Sequence, residues 1–500
     1  MFEWHTTIAH MKMNHSLRLI ALLAGSVCAL PAVANPATIV FAATAHAGTS
    51  GKDAVPGLPG FVFTNFGKVY GQGSRWITAG TISGSGTAAL TDQVIVVGDG
   101  TSFQVPAREG VTGVGSNGEL LNLSGLAVPR INEDGVWAIA FTPALGNPGL
   151  VVKFIGGNYV TVARGGESTG PDGVTWGNTF ASAAVQGNGE VAFLADTALG
   201  VRVAVTNDGA NLLAQEGTTS YIDPPGGEGG LLRTLSFSQA GTALHVAPDV
   251  SSTAYLCDVE TTSTPKRSVV INGVIVQQVG QSLAGANNEV ITGITELWFE
   301  ADGTWFTRGT TASGTFFTRN GTVIARVTGP IFIGATETFT ALTDVKGDRA
   351  GNFIVLGTTS AATASNEVAV VNGESVIARE GDPVDLNGDG TFDEPLFIHS
   401  FRDRCTLGDD GFLYVGARLK STASTTSSIG ANVSMLRIPL VVNSFCAADF
   451  NSDGGVDGAD VESFFVAWAA ADGLADVNID GGVDGADVEA FFVVWSAGSC

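Results

Sequence analysis

The sequence predicts an all-β chain, a seven-bladed β-propeller over residues 35–442, followed by a small α-helical module at 443–500. Three observations lead there. A glycine-centred turn recurs seven times at intervals of about 55 residues, the size of a four-stranded blade. A lone strand near the start fits the place left open in the last blade. An acidic twelve-residue segment is written twice close to the end, and each copy runs into a helical apolar stripe. With 67 glycines among 500 residues and frequent Val, Thr and Ala, the composition describes short strands joined by tight turns.

In chain order, the basic segment Met11–Arg18 precedes an apolar run, Leu19–Leu30, and the small residues Ala32, Val33 and Ala34 before Asn35. Residues 1–34 therefore read as a secretory signal peptide, with Met11 or Met13 as alternative starts because Glu3 and Trp4 fit no n-region. Cys28 would leave with it, and the Gly-Ser-Val ahead of it is a poor lipidation box. No later run reaches the ~20 apolar residues needed to span a bilayer. The mature chain is expected to be secreted.

The first repeat marker is a polar residue, two more, a glycine and then an apolar strand, as in Asn132 to Phe141. Its glycines are Gly73, Gly135, Gly189, Gly241, Gly303, Gly351 and Gly411, each where a tight hairpin would want one. A second marker lies between them at Ala107–Gly110, Ala163–Gly166, Ala214–Gly217, Gln277–Gly280, Ala325–Thr328 and Ala378–Gly381. It is missing after Gly411, whereas Thr38–Ala45 is a strand without a blade. That strand is expected to complete blade seven and close the ring, removing its unpaired sheet edges. A solenoid or a row of β-sandwiches is the alternative.

Arg108, Arg164, Arg326 and Arg379 recur in the second marker, beside Glu109 and Glu380 in two copies. Recurrence at equivalent positions predicts a structural ion pair in each blade, not one active site. Cys257 and Cys405 fall in blades four and seven, too far apart for a disulfide, and read as buried thiols. Past the signal only His46, His245 and His399 remain, without motif-spaced Ser or Cys partners. His245 alternates with apolar residues and is expected to pack in a strand.

Asp385, Asn387, Asp389, the Thr391 carbonyl and Asp393 match the first nine positions of a calcium loop. Position 12 is Leu396, so Glu394 or a neighbouring strand would have to complete the cage. The alternative is a hydrophilic Asn-Gly/Asp-Gly turn.

The duplicated segment is more specific. A hard cation takes six to eight oxygens, so a loop must fold several carboxylates about one point. Asp449, Asn451, Asp453, Asp457 and Asp460, with the Gly455 carbonyl, have that spacing. Asp476, Asn478, Asp480, Asp484 and Asp487, with the Gly482 carbonyl, repeat it. Position 12 is Asp instead of the usual Glu, a shorter arm that predicts lower affinity. Behind each loop Val461, Phe464, Phe465 and Trp468, then Val488, Phe491, Phe492 and Trp495, fall on helical stripes expected to pack together. Residues 446–500 hold eleven acidic side chains and no Lys or Arg, so folding and metal binding are expected to be coupled. Cys446 and Cys500 bracket the module and could staple it, for about 4 kcal/mol by loop-closure entropy; two free thiols are the alternative.

Residues 446–500 resemble a dockerin, two loop-helix segments without the entering helix of an EF-hand, of the Cys-ended type found in secreted planctomycete proteins. The resemblance implies Ca²⁺ at both loops and attachment to a cohesin-like or cell-surface partner. In cellulosomal dockerins loop positions 10 and 11 help choose the partner; Gly458-Ala459 and Gly485-Ala486 stand there, and Phe465-Val466 replaces the usual basic pair. Identical residues in both copies would allow two docking orientations. The upstream repeats resemble the Asn-x-x-Gly-x-x-Ala-Phe tandem repeats of secreted bacterial proteins.

A net charge of −24 leaves no basic patch to meet phosphates, which argues against nucleic acid. The expected role is a secreted binding or scaffold protein whose ring meets a polysaccharide or a surface protein. The rivals are a dockerin-borne carbohydrate-active enzyme and a purely structural surface-layer component.

Overall fold

Seven antiparallel sheets follow one another along the chain, and the last is completed by its first strand. Ala37–Phe41 pairs antiparallel with Ser434–Pro439, matching Thr38 to Arg437 and Ile39 to Leu436. It also pairs in parallel with the short strand Val384–Asp385 on its other side. The structure is a computed structural model describing residues 37–41 and 52–440 apart from 124–127, 144–146, 236–243, 247–251, 263, 287–288, 301, 333, 387–394 and 430–432; further on it describes 450, 456, 458–469, 475, 477 and 483–496. The expected signal peptide, His46, Gly241, Cys446 and Cys500 lie outside the described residues.

Each sheet is apolar on both faces because it has a neighbour on each side. In Trp137–Phe141 the residues Trp137, Ile139 and Phe141 pack toward blade one, with Ile77 and Ile95. Ala138 and Ala140 pack toward blade three, with Trp176 and Phe193. That is strand alternation serving two cores at once. The same sharing joins every consecutive pair, and Val40, Tyr414 and Met435 of blade seven share a core with Phe63, Trp76 and Val94 of blade one. The ring is closed by packing as well as by pairing. Cys257 and Cys405 are buried free thiols in blades four and seven, as expected.

The first marker is a hairpin turn. Gly135 has φ +80° and donates its N–H to the Asn132 carbonyl at 3.1 Å, while Asn132 Oδ1 accepts the Val136 N–H at 2.9 Å. Gly351 (φ +89°) and Asp348 repeat this geometry. A left-handed residue closes the turn, and the polar side chain ties down the next amide; hence glycine and Asn or Asp.

The second marker carries the chain from the outer strand of one blade to the axis-facing strand of the next. Its last residue has positive φ, and in several blades it donates to a carbonyl of that strand, as Gly166 does to Trp176 and Gly381 to Ile398. Thr328, φ +68°, occupies the same place without being glycine and donates to Phe339 at 2.7 Å.

The marker arginines form ion pairs in three blades: Arg164 with Glu119, Arg326 with Glu289 at 2.7 Å and Arg379 with Glu337 at 2.9 Å. Arg108 departs from the expectation. Its guanidinium lies 4.5 Å over the Phe61 ring, and its Nε donates to the Thr91 carbonyl. The adjacent glutamates turn forward instead: Glu109 accepts the Leu123 N–H, and Glu380 pairs with Lys420 of blade seven.

Helices α1 (Gly458–Ala469) and α2 (Gly485–Ser496) begin where the loop spacing ends. Their stripes pack only in part as expected. Phe464 and Phe491 are buried and stacked, whereas Phe465 and Phe492 are exposed. Successive residues lie about 100° apart on a helix, so a contact centred on one phenylalanine turns the next away.

Candidate functional site: an axial cavity and two acidic loops

The axis-facing strands converge on a cavity of about 80 Å³ to which every blade contributes. Tyr70, Arg130, Ala184, His245, Trp298, Glu300, Lys346 and Thr406 are among its walls. His245 lies in the strand Leu244–Val246, whose flanking residues are buried; its ring instead meets the cavity, with Nε2 2.8 Å from the Leu297 carbonyl oxygen.

Arg404 anchors the surrounding charges. In Phe397–Gly408 the ladder slips between Phe401 and Cys405, and Arg404 has φ +83° within that slip. Such a bulge re-aims a side chain. Arg404 Nη1 lies 2.5 Å from Glu296 Oε2 and 3.4 Å from Asp344 Oδ1, with the guanidinium 5.2 Å over Trp298. Asp344 is fully buried; its other oxygen accepts the Cys405 N–H at 2.9 Å, and Glu296 also meets Arg308 at 3.5 Å. Burial works against the Arg404 charge, but Asp344 and Glu296 outweigh it and hold the group above its ordinary value.

The wall cations are held differently. Arg130 lies 3.9 Å over the Tyr70 ring, and Lys346 Nζ lies 5.0 Å over Trp298. Burial lowers Arg130 to about 10, Arg404 adds to this, and Tyr70, Glu300 and Asp344 oppose it; the guanidinium stays charged at neutral pH. Burial lowers Lys346 as well, against the pull of Asp344 and Glu300. It raises Glu300, against Lys346 and the Gly347 N–H, which donates to Glu300 Oε1 at 3.3 Å.

Of the first duplicated loop's candidate side chains the described one is Asp460, which is fully buried in the first turn of α1. Asp449, Asn451, Asp453, Gly455 and Asp457 lie outside the described residues, as do Asp476, Asn478, Asp480 and Gly482 of the second loop. There Asp484 and Asp487 form a capping box: Asp484 Oδ1 accepts the Ala486 N–H and Asp487 Oδ2 accepts the Asp484 N–H, each at 2.8 Å. Asp487 is fully buried. In the third candidate loop Asp385 is buried in its strand beside Thr38 and Leu396 joins the blade core, while Asn387, Asp389, Thr391 and Asp393 lie outside the described residues.

The axial residues escaped sequence reasoning, yet they share a register. Arg130, Ala184, Trp298, Lys346 and Thr406 each stand five positions ahead of a repeat glycine. That offset was readable once the repeat had been aligned.

No protein-family model matches the chain, nor does any curated protein. Solved structures similar in fold include the β-propeller domain of the Trilobed protease from Pyrococcus furiosus, at 7% identity over 74% of this chain and 98% of that one, with a TM-score of 0.38. The Dos1 propeller is 9% identical over 81% and 95%, with a TM-score of 0.33. TolB from Acinetobacter baumannii is 12% identical over 83% and 86%, with a TM-score of 0.28. The class, a seven-bladed β-propeller with two short C-terminal helices, rests on the seven sheets and their shared cores.

Proposed function

We propose that this is a secreted, non-enzymatic binding or scaffold protein whose C-terminal module binds two Ca²⁺ ions and attaches it to a cohesin-like or cell-surface partner. The ring presents the binding surface, for a polysaccharide or another surface protein. The observation that carries the reading is a duplicated apolar face. Phe465 and Val466 are 39% and 67% exposed, Phe492 and Val493 37% and 65%, and the two phenylalanine rings lie 6.2 Å apart. A contiguous exposed patch of this kind suits docking, and its repetition suits a partner met in either of two orientations.

Burial of Asp460 and Asp487 supports the metal. With eleven acidic side chains and no Lys or Arg in residues 446–500, a bound cation would relieve the repulsion among them. The loops would hold calcium through Asp449, Asn451, Asp453, Asp457 and Asp460, and through their counterparts in the second copy. A staple between Cys446 and Cys500 belongs to the same proposal. For the ring, a glycosidase would need two carboxylates facing one substrate. Glu296 and Asp344 are engaged by Arg404, leaving Glu300 on the cavity wall, which favours binding over hydrolysis.

Calorimetry on the full chain tests this reading. Two equivalents of Ca²⁺ are expected to bind, EGTA to reduce helicity in circular dichroism, and Asp460→Asn with Asp487→Asn to abolish both responses. No heat on titration together with an unchanged spectrum would overturn the calcium-dependent anchor.

A further inference from the structure

Acidic residues outnumber Lys and Arg two to one, 48 to 24, so a buried cation has carboxylates to spare. Most buried cations here use them: Lys420 pairs with Glu380, Arg404 with Glu296, and Arg164 with Glu119. Arg130 and Lys346, half-buried at the axis, do not. Among the described residues neither forms an ion pair; each rests on an aromatic face, and Glu300 and Asp344 act on both only through space. Both line the axial cavity.

Three of its wall residues also carry a buried polar atom with no hydrogen-bond partner among the described residues: Tyr70 Oη, Arg130 Nη2 and Trp298 Nε1. Tyr70 is 4% exposed and Trp298 1%. All three are donors, and a buried donor left without a partner is destabilising. Water could serve one of them, but two neutral donors beside two cations without an ion pair match an acceptor that carries negative charge. The charged side chains lining the cavity are Arg130 and Lys346 against Glu300, two cations to one carboxylate inside a chain of net charge −24.

We infer that the axial cavity is an oxyanion site, taking a carboxylate or phosphate group on Arg130 and Lys346 with Tyr70 and Trp298 as neutral donors. A volume of about 80 Å³ holds such a group with a few waters. A larger ligand would insert only its charged end. Guanidinium and ammonium supply the charge-assisted bonds, and the aromatic faces keep both cations in place without neutralising them. This deepens the binding role proposed for the ring and is independent of the C-terminal anchor.

The test is calorimetry on the full chain at matched ionic strength with sodium acetate, galacturonate, inorganic phosphate and, as a neutral control, galactose. At least one anion is expected to bind and galactose not to. Binding of acetate and galacturonate identifies a carboxylate ligand; binding of phosphate alone identifies an inorganic or phosphorylated one. Arg130→Gln and Lys346→Gln should each weaken binding by about tenfold or more. Tyr70→Phe removes one hydroxyl from a wall that otherwise keeps its shape, and should weaken binding a few-fold while circular dichroism stays native. Added EGTA should leave anion binding unchanged, which separates failure of this site from failure of the calcium anchor. No anion binding beyond the ionic-strength control, or equal binding in correctly folded Lys346→Gln and Tyr70→Phe, sinks the proposal.

Discussion

Phe464 and Phe491 lie face to face, their ring centroids 4.2 Å apart and their planes inclined by 2°. Both are fully buried, and Phe450 meets each ring edge-on. The stack makes the two helices halves of one duplicated core. Phe464→Ala and Phe491→Ala should therefore cost similar amounts, about 3–5 kcal/mol each. That exceeds what so small a core can spare. Circular dichroism should show the helical signal lost while the β signal stays. Phe465→Ser and Phe492→Ser, on the exposed side, should change stability by no more than about 0.5 kcal/mol.

Thr328 holds φ +68° where the equivalent marker positions have glycine. A β-branched side chain in that region is strained by about 1–2 kcal/mol, partly offset by the extra chain entropy of glycine. Thr328→Gly should raise the thermal midpoint, with a net gain of about 1 kcal/mol. An unchanged or lower midpoint would count against the strain.

Ring closure is open to a direct challenge. Ile39 is 2% exposed and pairs with Leu436. Ile39→Asp places an unpaired charge in that core and should cost more than about 4 kcal/mol. Limited proteolysis should then cut blade seven first. Thr38→Ala removes only a 3.4 Å contact to the Arg437 carbonyl and should leave the cleavage pattern unchanged.

Burial raises the Glu367 carboxyl to about 7, the Phe401 N–H opposes this, and Glu380 reinforces it. The folded state thus holds this proton more tightly than the unfolded chain does. The resulting stability is complete below the ordinary carboxyl value of 4.5 and is lost as pH rises through 7. Glu367→Gln keeps an oxygen for the Phe401 N–H, 2.7 Å away, and removes the titration. The variant should be more stable than the native chain above pH 7, and its thermal midpoint should vary less between pH 4.5 and 7. Identical pH profiles for the two proteins would assign the slope to other groups.

How far the sequence could be read follows from what each feature depends on. Gly135 and Gly351 act through their own turns, a local matter, so their spacing disclosed the blades. Thr38 was legible as part of a spare strand because the second marker is missing after Gly411. The axial cluster was not. Tyr70, Arg130, Trp298, Lys346 and Arg404 are dispersed over the chain and meet only once the ring has closed, and Arg404 points inward because of a bulge that no composition announces. Arg108 shows the converse: a recurring residue type found a different partner, the Phe61 ring.

The strand at 37–41 and its mate at 434–439 are among the first and last parts of the ring to be made; Thr38 and Arg437 are 399 residues apart in sequence. Until the later strand emerges, the earlier one lacks its antiparallel partner. A nascent or truncated chain must therefore carry six finished blades and one ragged edge, the condition in which β-proteins stick to one another. Assembly of this molecule is consequently timed by its final ring strand.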